Sequence, residues 1–225
     1  FISNWKFGDG STSAVANPSH SYSGSGVYNV VLTTVSDSGC VDSLLKTVAI
    51  NATPSASFRS TNACQGNANT FSDNSTISTG NISVYDWSFG DGFTDNGAIT
   101  THTYASDGSY NVRLVVSSDS SCTDTTTKTV QVYAGPKAAF SISNLCFGDT
   151  LKPTNSSSIS SGSITSYAWD FGDGSTSNQT SPTHYYSAKG KYDVKLVITS
   201  DNNCKDSLTR TTSVDIVIVP GFTAS

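Results

Sequence analysis

Apolar and polar residues alternate along short stretches of this chain, with the period of two that predicts β-strands with one buried face. In the clearest stretch Tyr110, Val112, Leu114 and Val116 share one face. No stretch shows the sustained spacing of three to four residues that a buried helix face requires. Polar clusters such as Ser106-Asp107-Gly108 separate the stretches and are typical of turns. The pattern predicts an all-β protein with no significant helix.

The alternating stretches recur with a period of 82 residues. The tryptophans stand at positions 5, 87 and 169, so both gaps are 82 residues. Each opens a W-x-F-G-D-G motif, whose conserved spacing gives the sets Trp5, Phe7 and Asp9; Trp87, Phe89 and Asp91; Trp169, Phe171 and Asp173. A histidine and a tyrosine follow each motif at fixed distances: His20 and Tyr28; His102 and Tyr110; His184 and Tyr192. Such a period predicts a repeated folding unit.

The period sets the predicted domain boundaries. Residues 1–51 correspond to a unit truncated at its N-terminal side, 55–133 and 137–216 to complete units, and 217–225 to the first strand of a further unit. Short linkers containing proline, Ala52-Thr53-Pro54 and Ala134-Gly135-Pro136, recur at the same phase. We therefore expect the 225 residues to be an interior segment of a longer array.

The composition excludes several classes of function. Hydrophobic residues make up 36% of the chain, which is typical of a folded protein rather than a disordered one. The formal net charge of −5 argues against a nucleic-acid partner, which requires basic clusters. No apolar run approaches 18 residues, so no membrane span is expected in this segment.

The cysteines follow the same period. Cys40, Cys122 and Cys204 are spaced by 82 residues, and so are Cys64 and Cys146. We predict the same-unit disulfides Cys64–Cys122 and Cys146–Cys204, each separated by 58 positions. The partner of Cys40 would then lie upstream of this segment, a free or intermolecular Cys40 being the alternative. Repeated disulfides indicate an extracytoplasmic setting, and no C-x-x-C pair suggests a metal site.

The repeated motifs resemble the PKD (polycystic kidney disease) domain. The third unit carries the whole pattern: Trp169 to Gly174, then Pro182-Thr183-His184-Tyr185-Tyr186, then Gly190-Lys191-Tyr192-Asp193-Val194. The middle unit departs from it at Thr100 and Phe93, which concerns only the geometry of its loop. The resemblance implies tandem immunoglobulin-like β-sandwiches in a secreted or cell-surface bacterial protein.

The same resemblance raises the question of a bound metal. Some PKD domains bind calcium, which makes Asp9, Asp91 and Asp173 calcium candidates. Calcium needs six or more oxygen ligands, and the sequence does not supply that number around Asp91. We favour a structural interpretation in which each aspartate bonds its own backbone two residues on. No other cofactor is expected.

The histidines admit a catalytic or a structural interpretation. His20, His102 and His184 each lie in the same P/T-x-H-x-Y context, once per unit. A general base needs a partnered site, and three identical sites in one array would be unusual. We expect each histidine to lock its loop through hydrogen bonds, and we predict no enzyme.

A further set of hydroxyl residues follows aspartate. Ser43, Thr125 and Ser207 each follow an aspartate and lie three residues after Cys40, Cys122 and Cys204, and Asp149-Thr150-Leu151 adds Thr150. These positions are similar to the D-[ST] acceptors used for O-glycosylation of exported proteins in some gliding bacteria. The alternative is a turn or bulge in which the aspartate bonds locally.

Repetition then suggests a structural and adhesive function, an extracellular stalk or filament that mediates attachment or displays a tip domain. Its expected partners are neighbouring units of the same chain, other copies, or surface polysaccharide or protein. The first alternative is an accessory binding module of a secreted polysaccharide- or protein-degrading enzyme. The second is lateral assembly into a surface sheath or layer through polar strand edges.

Overall fold

The computed structural model describes residues 1–61 and 63–216, and these residues form strands, turns and bends without a helix. The all-β prediction is confirmed. The predicted further strand at 217–225 lies outside the described residues.

The first repeat forms one antiparallel sheet with the order β2-β1-β3-β4. Its strands are β1 (Ile2–Lys6), β2 (Thr12–Ser13), β3 (Gly26–Val35) and β4 (Val41–Ile50). Val30 and Leu32 on β3 are only partly buried, whereas Val112 and Leu114, their counterparts in the middle repeat, are fully buried. The difference arises because the described residues of the first repeat supply one face of a sandwich.

The middle repeat forms two sheets, with the orders β10-β7-β5 and β6-β12-β11-β8-β9. Its strands are β5 (Phe58–Ser60), β6 (Ala63–Cys64), β7 (Ala68–Asp73), β8 (Ile82–Ser88), β9 (Thr94–Asn96), β10 (Ile99–Thr103), β11 (Gly108–Ser118) and β12 (Thr123–Tyr133). Phe58 and Phe71 of the smaller sheet meet Trp87 of the larger at ring centroid distances of 5.2 and 5.8 Å. This packing is that of a β-sandwich.

The third repeat has the five-stranded sheet β14-β21-β20-β17-β18 and the short pairs β13-β16 and β15-β19. Its strands are β13 (Phe140–Ser141), β14 (Leu145–Cys146), β15 (Thr150–Leu151), β16 (Thr154–Asn155), β17 (Ile164–Asp170), β18 (Thr176–Ser177), β19 (His184–Tyr185), β20 (Gly190–Ser200) and β21 (Lys205–Asp215). Trp169 lies in its core with Phe140, Leu151 and Leu196. The alternation along β20 puts every second residue into this core, as the sequence predicts.

A long hairpin of β20 and β21 runs from one end of the third repeat to the other. Strands β20 and β21 pair from Thr199 opposite Lys205, beside the turn, to Gly190 opposite Val214. At that far end, β14 joins β21 in parallel with Cys146 opposite Asp215. The middle repeat has the same parallel join, with Cys64 opposite Tyr133.

Contacts between Cα atoms divide the described chain into two compact units. One contains residues 1–61, 70–102 and 111–129, and the other the described parts of 62–69, 103–110 and 130–216. The second unit therefore combines the third repeat with the segments of the middle repeat around Cys64. Cys64 and Cys204 belong to the same unit.

We expect Leu196→Ala to lower the free energy of unfolding of the third repeat by about 2–5 kcal/mol, because it empties a fully buried core position. Urea denaturation followed by Trp169 fluorescence, in a chain carrying Trp5→Phe and Trp87→Phe, measures that repeat alone. The adjacent exposed change Lys195→Ala is the control and should stay within about 0.5 kcal/mol. Equal effects of the two changes would contradict the core assignment.

Candidate functional site

The W-x-F-G-D-G motif forms the same tight loop in every repeat. In the third repeat the Phe171 N–H donates to the Ser175 carbonyl at 3.1 Å. Gly172 has a φ of 79°, and a Cβ there would lie 2.8 Å from the backbone oxygen of Asp193. Only glycine satisfies both the positive φ and this close approach. The loop thus lies against the long hairpin.

The aspartate of the loop binds two donors. Asp173 accepts the backbone N–H of Ser175 at 2.9 Å and faces His184 Nε2 at 2.8 Å. An ionised carboxylate only accepts hydrogen bonds, so Nε2 is the donor. The His184 ring stacks on Phe171 at a centroid distance of 4.2 Å. The corresponding aspartate–histidine distances are 2.7 Å for Asp9 and His20 and 2.7 Å for Asp91 and His102.

Two tyrosines complete the loop. The Tyr186 hydroxyl donates to the Phe171 carbonyl at 2.9 Å, and its ring stacks on Tyr192 at 4.0 Å. Tyr192 in turn donates to the Ala188 carbonyl at 2.9 Å, a local bond of the kind made by the tyrosine corner of immunoglobulin folds. Sequence reasoning gave no role to Tyr186, although its position two residues after the histidine, repeated with the 82-residue period, was the available signal.

These hydrogen bonds alter the acidity of the loop carboxylates. The Ser11 N–H, followed by His20, lowers the pKa of Asp9 below its ordinary value. Burial acts to raise the pKa of Asp173, but the bonds from Ser175 and His184 outweigh it and the pKa is lowered. Burial raises the pKa of Tyr186. In the first and third repeats the loop therefore favours the ionised form of Asp9 and Asp173, each facing a histidine donor.

The loop does not fit a calcium ion. Each of the three candidate aspartates has a histidine N–H on one oxygen, whereas calcium requires six or more oxygen ligands. In the part of the chain that the structure describes, no group of three or more His, Cys, Asp or Glu side chains is placed to hold a metal ion.

The middle repeat keeps this loop despite its two departures from the pattern. The Phe89 N–H donates to the Phe93 carbonyl at 3.0 Å, which matches the Ser175 contact of the third repeat. Thr100 replaces the proline, and its hydroxyl donates to Asp95. This bond lowers the pKa of Asp95 and satisfies the buried hydroxyl of Thr100.

The cysteine pairing predicted from the sequence is wrong. The structure joins Cys64 to Cys204, with a Cα–Cα distance of 5.7 Å and a sequence separation of 140. Cys40, Cys122 and Cys146 are free. Cys64 belongs to the middle repeat and Cys204 to the third, so the bond links consecutive repeats.

The hairpin explains why a bond within one repeat is excluded. Cys204 precedes β21 at the hairpin turn, whereas Cys146 pairs with Asp215 at the other end of that strand. A strand of this length separates its ends by about 34 Å, but a disulfide requires Cα atoms within about 7 Å. Cys64 is likewise opposite Tyr133, at the far end of β12 from Cys122.

The hydroxyl residues of the D-[ST] positions are accessible. Ser43, Thr125 and Ser207 lie exposed on β4, β12 and β21, and Thr150 lies exposed on β15. O-glycosylation there stays a prediction. The aspartates before them have a structural role as well, because Asp124 accepts the Ala56 N–H and Asp206 accepts the Ala138 N–H, both at 2.7 Å.

The two-sheet sandwich, the tyrosine bonds and the repetition together define tandem immunoglobulin-like modules. The family profile of the PKD domain matches residues 2–52, 51–134 and 133–216. The chain belongs to the PKD domain family. Its matched regions are PKD modules and are non-catalytic.

Several bacterial proteins contain similar segments. Pre-pro-metalloprotease PrtV of Vibrio cholerae is 43% identical over 68 residues, which cover 30% of this chain and 7% of that protein. A microbial collagenase of Vibrio alginolyticus is 49% identical over 57 residues, covering 25% and 6%. The chain thus spans less than a tenth of these relatives. The crystal structure of the PKD1 domain of Vibrio cholerae PrtV is 38% identical and covers 36% of this chain and 98% of that domain, with a TM-score of 0.34.

No part of residues 1–61 and 63–216 forms a helix long and apolar enough to span a membrane.

We expect Asp173→Asn to destabilise the third repeat by about 1 kcal/mol near pH 6, because it removes the charge from two hydrogen bonds. The folded pKa is lowered, so this stabilisation is present above the ordinary value of 3.8 and disappears as the pH falls through the folded pKa. Urea denaturation followed by Trp169 fluorescence between pH 2 and 7 should show that the difference in unfolding free energy between the unchanged chain and Asp173→Asn disappears in acid. Asp215→Asn, at an exposed position, is the control. A difference for Asp173→Asn that does not depend on pH would contradict the assignment.

Peptide mapping without reduction should recover one cross-linked pair, Cys64 with Cys204. Cys40, Cys122 and Cys146 should react with an alkylating reagent before reduction, because the structure leaves them free. Recovery of Cys64–Cys122 or Cys146–Cys204 would contradict the structure.

Proposed function

We propose that this chain is a non-catalytic extracellular segment of a bacterial surface or secreted protein, in which tandem repeats form a stalk. The stalk mediates attachment or carries other domains away from the cell. The side chains that suggest chemistry, the aspartate and histidine of each motif, bond to each other inside the loop. The disulfide supports an oxidising compartment outside the cytoplasm.

The bond between Cys64 and Cys204 is the main support for this proposal. Tension applied to the two ends of the chain passes directly across this bond. The 140-residue separation it closes contains most of the middle and third repeats, which the applied force then cannot extend. Such a link suits a load-bearing array.

Single-molecule stretching between Phe1 and Ser225 tests the load-bearing function. When fully unfolded, the oxidised chain should be about 500 Å shorter than the reduced chain, because the disulfide keeps the closed segment, at ~3.6 Å per residue, from extending. Adding a reductant should release it, and the variant Cys204→Ser should release it without reductant. If oxidised and reduced chains extend equally, the proposed load path is wrong.

A second candidate function is that of an accessory module that grips the substrate of a secreted enzyme. It is favoured by the similarity to segments of a metalloprotease and of collagenases. Phe93 offers a contact surface, since 65% of it is exposed beside His102. Ser11 and Ser175 replace it in the other repeats, so any such surface is confined to the middle repeat.

Co-sedimentation with insoluble polysaccharide and with collagen fibrils separates the two functions. A stalk segment should stay in solution with either material. Binding that Phe93→Ser abolishes, with the loop fold unchanged, would favour the accessory function instead. Ordered sheets seen by electron microscopy of the purified chain would favour lateral assembly.

A further inference from the structure

In each complete repeat the first cysteine is Cys64 or Cys146 and the second is Cys122 or Cys204, and Cys40 is the second cysteine of the first repeat. The free second cysteines, Cys40 and Cys122, make the same backbone hydrogen bonds as the bonded Cys204. In all three repeats the N–H of this cysteine donates to a serine hydroxyl four residues earlier, at 3.0, 3.1 and 3.1 Å. The carbonyl of the same cysteine accepts the N–H of that serine at 2.9, 2.9 and 2.8 Å. Each hairpin turn therefore presents its sulfur from the same position.

The free first cysteine, Cys146, likewise has the setting of the bonded Cys64. Both pair in parallel with the end of the last strand, opposite Asp215 and Tyr133 respectively. The residue after each cysteine donates its N–H to that same partner, at 2.7 Å for Phe147 and 2.8 Å for Gln65.

Exposure separates the bonded second cysteine from the free ones. Cys204 is 1% exposed, whereas Cys122 is half-buried and Cys40 is exposed. Cys146, the free first cysteine, is exposed as well. The free cysteines therefore share the backbone hydrogen bonds of the bonded ones, and Cys40 and Cys146 are exposed to a partner.

We propose that every repeat of this kind is bonded to the next, with the first cysteine of one repeat joined to the second cysteine of the following repeat. Cys64–Cys204 is one such bond, with a separation of 140. The same separation from Cys40 or Cys122 falls before Phe1, and from Cys146 it falls after Ser225. A further repeat of the same type, in phase before Phe1 or after Ser225, would supply the matching cysteine for each free one.

Each bond forms by oxidation of two thiols. The two Sγ–H groups lose two protons and two electrons as the S–S bond forms. A disulfide-bonded oxidant, such as oxidised glutathione or a thiol–disulfide oxidoreductase, accepts them and is reduced to two thiols.

Successive bonds of this kind overlap along the chain and create a short covalent path through the array. From Cys122 the path follows β12 and the linker to Cys146, and then crosses to the next repeat. The parallel path runs from Cys40 to Cys64 and across to Cys204. Each path contains only the last strand of a repeat, the linker that follows it and a disulfide. Tension is therefore carried by these segments, and the other strands of each sandwich are not under load.

An N-terminal extension tests the pairing of Cys122. Placing a copy of residues 52–82 directly before Phe1 keeps the 82-residue period and supplies the missing part of the first repeat, including a copy of Cys64. After oxidation in a glutathione buffer, non-reducing peptide mapping should find Cys122 bonded to that copy and Cys64 still bonded to Cys204. Cys122 should change from fully alkylated to at least tenfold protected.

The matched control is the extended chain with Cys122→Ser, in which the added cysteine should react with the alkylating reagent while Cys64–Cys204 persists. Hydrogen exchange of β11 shows that the middle repeat is folded in both chains. A free Cys122 in the folded extended chain, or a bond between Cys122 and Cys64, would overturn the proposal.

A C-terminal extension tests Cys146 independently. Adding a copy of residues 144–216 after Ser225 continues the period and supplies a copy of Cys204. Cys146 should bond to that copy, and a bond between Cys146 and Cys204 of its own repeat would overturn the proposal. Mapping reads the sulfur pairing directly, so this result is distinct from the outcome for the load-bearing function.

Discussion

The length of the last hairpin is the constraint on which the arrangement of these repeats depends. Strands β20 and β21 each run for eleven residues, so the turn and the open end lie about 34 Å apart. The second cysteine is held in the turn and the first cysteine beside the open end. Because neither backbone segment can move without breaking the sheet, the two sulfur atoms of one repeat cannot meet. Covalent bonding is directed to the neighbouring repeat instead.

A repeat of this size without an internal disulfide must be stabilised by its core. Below about 80 residues a single core supplies only a few kcal/mol of stability, because a small core buries little surface. Here the aromatic residues provide much of that burial. Phe140 and Trp169 meet edge to face at 5.0 Å in the third repeat, and Phe58 and Trp87 do so at 5.2 Å in the middle repeat. Aromatic pairs in this geometry add stability beyond the area they bury.

The W-x-F-G-D-G loop illustrates how a motif that resembles an active site can be purely structural. Aspartate and histidine are common catalytic partners, but in this loop the histidine ring is stacked on Phe171 and its Nε2 donates to Asp173. The aspartate also accepts a backbone N–H. These contacts leave each group engaged within the loop, and the identical arrangement in three repeats is what a folding motif requires.

The fold and the period could both be predicted from the amino-acid sequence alone. The alternation along β20 is a local pattern of apolar and polar residues. The equal spacing of Trp5, Trp87 and Trp169 reflects the repetition of one sequence unit. Both patterns can be read from a single amino-acid sequence. The W-x-F-G-D-G loop could also be predicted, because glycine, aspartate and histidine have strong preferences for turns and for local hydrogen bonds. The role of Tyr186 was missed, since a buried hydroxyl and its carbonyl partner fifteen residues away meet only in the folded loop.

The pairing of the cysteines could not be predicted without the tertiary structure. An 82-residue period is equally consistent with bonds within a repeat and bonds between consecutive repeats, because adding one period to the separation leaves the phase unchanged. The choice depends on which end of the sandwich each cysteine occupies. That position follows from the parallel join of β14 to β21 and of β6 to β12, which are contacts between residues distant in the chain. The period therefore shows which cysteines are equivalent in different repeats, and the length of the last strand determines which of them can form a disulfide.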